Sequence, residues 1–165
     1  MRALEDDIYQ TLMNTGTVYF FGNGGSAAEA SHFAAEFVGK CLIDVGPQSS
    51  ICLNDSVAAM SAVANDWHFE DVFVRQVRAH CKSGDLAIGL TTSGSRNVIR
   101  ALQSADSQGC RTWLFTSDKF TEISEYQGNA IVANTTVTSI AQELHLQIGH
   151  AIIESLELRV NKSRD

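Results

Sequence analysis

Apolar positions along the chain alternate between a spacing of three to four residues and short unbroken runs, and this alternation is the first guide to its structure. Leu4, Ile8, Leu12 and Met13 mark one side of an opening helix that Asn14-Thr15-Gly16 should end. Residues 17–21, Thr-Val-Tyr-Phe-Phe, are apolar on both faces, as in a strand covered by helices on both sides. An alanine-rich helix is expected over 27–38 and a short strand over 50–53, followed by Asn54-Asp55-Ser56 as candidate helix caps. Helical spacing then covers roughly 56–64 and 69–80. A strand at 86–90 leads into a helix striped by Val98, Ile99, Leu102 and Ala105. Residues 112–115 and 130–132 read as strands, with a weaker helix after Ser117-Asp118 between them, and a long helix closes the chain over 137–160.

Strands separated in this way by helices predict an α/β fold, a three-layer arrangement around a five-stranded parallel sheet with flavodoxin-like order. Ligands of such sheets bind at the carboxyl ends of the strands, where the strand order switches. A single proline and no low-complexity stretch in 165 residues leave no linker, so residues 1–165 read as one domain.

Charge narrows the choice of ligand. A formal net charge of −7, with no cluster of Lys or Arg, disfavours nucleic acid as a partner. A small anion remains compatible, because backbone amides at a helix start bind phosphate without a basic side chain. Cys41, Cys52, Cys81 and Cys110 form no C-x-x-C pair and read as reduced thiols of a cytoplasmic protein. No stretch is apolar enough for a membrane span, and the acidic, amphipathic start does not read as a signal peptide.

Four places carry candidate chemistry. Gly22-Asn23-Gly24-Gly25-Ser26 follows the first strand and can present backbone N–H groups to an oxyanion; a plain tight turn is the lesser alternative. Thr91-Thr92-Ser93-Gly94-Ser95 sits at the end of another buried strand, where hydroxyls and amides can hold phosphate oxygens or simply cap the next helix. His32 and Glu36, four residues apart, stack on one helix face at a spacing that suits a shared metal or an ordinary ion pair. In the closing helix Gln142, His145, His150 and Glu154 interrupt the apolar face, and spacing alone does not choose among them.

The segments FGNGGSAAEASHFAAEFVGK, Ala64-Asn65-Asp66-Trp67-His68-Phe69, GDLAIGLTTSGS and IAQELHLQIGH together resemble the SIS family, more narrowly its phosphoheptose isomerase branch, over nearly the whole chain. The resemblance implies an aldose-ketose isomerase that converts sedoheptulose 7-phosphate to D-glycero-D-manno-heptose 7-phosphate through an enediol. It implies one Zn2+ per site, on His32, Glu36, Gln142 and His150. It further implies phosphate contacts from Ser26, Thr91, Thr92, Ser93 and Ser95, and contacts to the sugar chain from Asn23, Gly24, Gly25, Glu36, Asn65, Asp66 and Gln142. Glu36 and His150 take the roles of base and acid, and the family assembles as a homotetramer with sites between subunits. Relative to typical members the region 1–15 is shortened, and the second loop is one residue shorter, which brings Arg96 toward the expected pocket. A non-catalytic phosphosugar-binding or regulatory SIS protein, such as one that binds a replication initiator, is the alternative; it is disfavoured because all four metal positions are filled.

Overall fold

A computed structural model describes residues 1–123 and 126–162. Its elements run α1 (Arg2–Met13), β1 (Val18–Gly22), α2 (Gly25–Val38), β2 (Ser50–Cys52), α3 (Val57–Asp66), a 3-10 turn at Phe69–Asp71, α4 (Val72–His80), β3 (Leu86–Leu90), α5 (Arg96–Ser107), β4 (Arg111–Ser117), β5 (Asn129–Ala133) and α6 (Thr138–Lys162). All strand pairs are parallel and the order is β2-β1-β3-β4-β5, the flavodoxin-like arrangement.

Alternation along the central strands sorts the core into two halves. Val18 and Phe20 of β1, with Leu86, Ile88 and Leu90 of β3, face α1, α2 and α6; Tyr19, Phe21, Ala87 and Leu114 face α3, α4 and α5. Both halves are buried, which explains why these strands read as continuous apolar runs. Each buried Phe or Leu stabilises the fold by roughly 1.5–3 kcal/mol relative to exposure.

Several element ends follow local chemistry. Ser56 caps α3 by accepting from the Ala59 N–H at 3.2 Å. On α1 the buried face is Leu4, Ile8, Thr11 and Leu12, whereas Met13 is exposed and off the stripe expected for it. Of the helix expected after Ser117-Asp118, residues 118, 119, 121 and 122 form turns and residue 123 is 3-10 helical, while residues 124 and 125 lie outside the described residues, as do 163–165. All four cysteines are free thiols.

Candidate active site

Strand order determines where the two glycine- and hydroxyl-rich loops meet. β1 and β3 are neighbours in register, Gly22 opposite Leu90, and the chain leaves them toward opposite faces of the sheet. The crevice outside their carboxyl ends is the switch point of a doubly wound sheet, and residues 22–26 and 91–95 line it. Gly24 adopts φ +54° at the entry to α2, a conformation that side chains disfavour. Gly25 lies so close to the Gln142 amide of α6 that a Cβ there would collide with it.

Polar side chains brace these loops. Asn23 and Asn97 exchange a reciprocal pair of amide hydrogen bonds, Nδ2 to Oδ1, at 2.8 and 2.9 Å, tying the first loop to α5. Asn54 closes a similar ring on the backbone of Gly22, accepting from its N–H at 3.2 Å and donating to its carbonyl at 2.8 Å. In the second loop the Thr91 hydroxyl accepts from the Ser95 N–H and donates to the Ser95 hydroxyl, both at 3.0 Å. Ser26, Thr91 and Thr92 are buried at the crevice, and Ser93 is exposed.

One turn and more along α2, three titratable side chains converge. The Nε2 atoms of His32 and His150 stand 2.7 Å apart, with the rings edge to face. His32 Nε2 is 3.6 Å from Glu36 Oε1, and one ligand atom from each of the three residues lies within 4.8 Å of the others. Two imidazole nitrogens and a carboxylate oxygen are donors that zinc accepts. Two ring nitrogens on one tetrahedral zinc stand ~3.3 Å apart when Zn–N is about 2.0–2.1 Å, so the rings need separate only slightly. Facing Nε2 atoms also demand something between them, a proton or a cation, because two bare lone pairs repel. Glu36 Oε2 is buried and has no hydrogen-bond partner, a further sign of a carboxylate arranged for more than an ion pair.

The remaining expected residues are placed as follows. Gln142 packs on Gly25, two turns before His150 on α6. Asn65 and Asp66 end α3 on the surface, with Asn65 donating to the Asp66 carboxylate at 2.8 Å. Arg96 turns away from the pocket expected for it: it is 83% exposed and pairs with Glu70 at 3.4 Å. His145 is fully buried, its Nε2 2.8 Å from the Thr116 carbonyl and its Nδ1 3.6 Å from the buried Glu29, so it braces α6 against β4 and α2. Glu154 is exposed. The bracing residues Asn97 and Glu29 were missed in the sequence; a polar residue on an otherwise apolar helix stripe was their only signal.

The match to known proteins agrees with this geometry. Residues 1–117 match the family model described as SIS domain. The chain belongs to the SIS domain family. It is 37% identical over 158 residues to the phosphoheptose isomerase of Thermodesulfovibrio yellowstonii, a match covering 95% of this chain and 79% of the relative. To the phosphoheptose isomerase of Aquifex aeolicus it is 40% identical over 151 residues, covering 91% of this chain and 79% of the relative. Among solved structures, the phosphoheptose isomerase from Neisseria gonorrhoeae superposes with a TM-score of 0.86 at 32% identity, covering 93% of this chain and 83% of that one. The chain is therefore a member of the phosphoheptose isomerase branch of the SIS domain family, and its five-stranded parallel sheet is the SIS fold.

Proposed function

We propose that this chain isomerises sedoheptulose 7-phosphate to D-glycero-D-manno-heptose 7-phosphate, with one zinc ion per site. The observation that carries the reading is the convergence of His32, Glu36 and His150 along the same helix whose N-terminus opens on the two anion-cradling loops. Seven residues separate Gly25 from His32, about 10 Å of helix rise, an interval that an extended seven-carbon sugar phosphate bridges. The phosphate then lies at the start of α2, against backbone N–H groups and the hydroxyls of Ser26, Thr92 and Ser93.

Isomerisation moves a hydrogen between adjacent carbons and needs a base at the carbon and an acid at the carbonyl oxygen. Glu36 takes the proton from the carbon next to the carbonyl, and His150 delivers one to the carbonyl oxygen, which gives the enediol; Glu36 then returns its proton to the former carbonyl carbon while His150 regains one from the hydroxyl on the neighbouring carbon, which completes the aldose. Bound zinc polarises the sugar oxygens and makes that proton more acidic. His32, Glu36 and His150 would hold the ion; Gln142, whose amide packs on Gly25, would have to swing from there to supply a fourth ligand, and Asn65 and Asp66 contact the far end of the sugar. The protein acts in the cytoplasm as a homotetramer; among the described residues no helix is long and apolar enough to cross a membrane.

Metal analysis of the purified protein, coupled to an isomerase assay with and without chelator, tests this reading. About one zinc per chain and turnover that is lost on chelation and restored by zinc are expected. Turnover that ignores the chelator, or that prefers ketose 5- or 6-phosphates, would overturn the metal or the substrate respectively.

A further inference from the structure

The two anion-cradling loops stand on supports that diverge. The first runs into α2, packed on one face of the sheet, and the second into α5, packed on the other. Strand pairing holds β1 against β3 as far as Gly22 opposite Leu90. Beyond that pair the ladder no longer sets how far apart the loops lie, yet a phosphate that touches both needs a fixed width between them.

The amide pair of Asn23 and Asn97 supplies that width. These residues, 74 positions apart, exchange hydrogen bonds at 2.8 and 2.9 Å. Asn97 stands in the first turn of α5, just after the second loop, and is 3% exposed, so packing restricts its side chain. Its Oδ1 also faces the Val98 N–H at 3.0 Å, which identifies the oxygen of that amide and obliges Asn23 to present Nδ2 to it. Asn54 secures the start of the first loop by holding the Gly22 backbone from the β2 side. The Asn23–Asn97 ring ties the next residue of that loop to the helix that follows the second.

We propose that Asn97 is a positioning residue for the substrate's phosphate, a role that rests on the phosphosugar reading of these loops. Through Asn23 it keeps the first loop at the distance from the second at which the N–H groups opening α2 and the hydroxyls of Ser26, Thr92 and Ser93 reach one phosphate. The first N–H groups of a helix have no partner within it and are available for this. Asn97 acts through Asn23 and not by contact with the sugar. A displacement of ~1 Å from a remote substitution can cost about 100-fold. With Asn54 still holding Gly22, loss of the ring alone should cost about tenfold.

The test is a mutant cycle read by phosphate binding. Dissociation constants for inorganic phosphate, from phosphorus NMR titration, are compared for the wild type, Asn23→Ala, Asn97→Ala and the double variant, together with kcat and KM for sedoheptulose 7-phosphate and thermal melts. Asn97→Ser, whose hydroxyl is too short to reach Asn23, replaces Asn97→Ala in the cycle if the alanine variant does not fold. Each single variant should bind phosphate about tenfold more weakly and show a KM raised to match, with kcat within about threefold of the wild type. The double variant should lose no more than about threefold beyond the weaker-binding single variant, because the ring is already broken there. Phosphate affinity of the Asn97 variant within about threefold of a phosphate-binding wild type would overturn the positioning role, whatever its melting temperature. Losses that multiply in the double variant would overturn it as well, by showing that Asn23 meets the substrate independently of Asn97. A wild type that binds neither inorganic phosphate nor the sugar phosphate would overturn the phosphosugar reading and the positioning role together.

Discussion

At the scale of single residues, the site depends on a few side chains whose neighbours restrict them strongly. His32 and Glu36 were visible as a pair because four residues is nearly one helical turn, so their side chains share a face whatever the rest of the fold does. Spacing alone did not show which residue of α6 joins them; the family resemblance named His150, and it is His150 that lies beside His32. His145 and His150 are chemically alike, yet His145 is fully buried against Thr116 and Glu29, whereas His150 reaches His32. His150→Ala should therefore remove a ligand without unfolding the chain. Calorimetric titration should show zinc affinity lower by more than ~100-fold, beyond the range for loss of an outer partner, together with an unchanged melting temperature; a near wild-type affinity would show that the imidazoles do not share an ion.

At the scale of elements, the loops after β1 and β3 are held by side chains that the sequence reading assigned to substrate or did not consider. Asn23 is expected to contact sugar, and its amide is engaged with Asn97. Gly25 shows why the first loop needs glycine beyond its turn: the Gln142 side chain occupies the place of a Cβ. Gly25→Ala should displace Gln142 and shift the start of α2. The expected result is a KM for the sugar phosphate raised at least about tenfold, equivalent to ~1.4 kcal/mol of binding, with a smaller change in kcat. Unchanged KM would mean that the loop relaxes around the methyl group.

At the scale of the whole molecule, burial of thiols links stability to pH. Burial pushes the Cys52 thiol up from an ordinary value of 9.0 to about 11. Between those values the native thiol keeps its proton while the unfolded one loses it. The unfolded state then binds fewer protons, and the unfolding free energy falls as pH rises through that window; below it the contribution is fully present. The denaturant midpoint should drop between about pH 9 and about pH 11, and Cys52→Ala should flatten that slope. An identical slope in the variant would assign the effect to other groups, the raised Cys41 thiol among them.

By itself the sequence determined the alternation of strands and helices, the parallel sheet they imply, the two loops and the His32–Glu36 pair. All of these follow from the period of apolar residues and from glycine and hydroxyl chemistry, which act over a few neighbouring positions. Spacing left open which residue of α6 meets His32, and tertiary structure decided that it is the His150 the family resemblance implied; tertiary structure alone decided that Asn23 is tied to Asn97, that Arg96 turns to Glu70 and that Glu157 accepts the N–H groups of residues 41–43. These contacts bridge positions far apart in the chain, and they depend on how closely helices approach. Where α6 crosses α2, the Phe33 ring occupies the space that a side chain on Gly149 would fill, and that contact sets the rotation of α6 that carries His150 to the cation group.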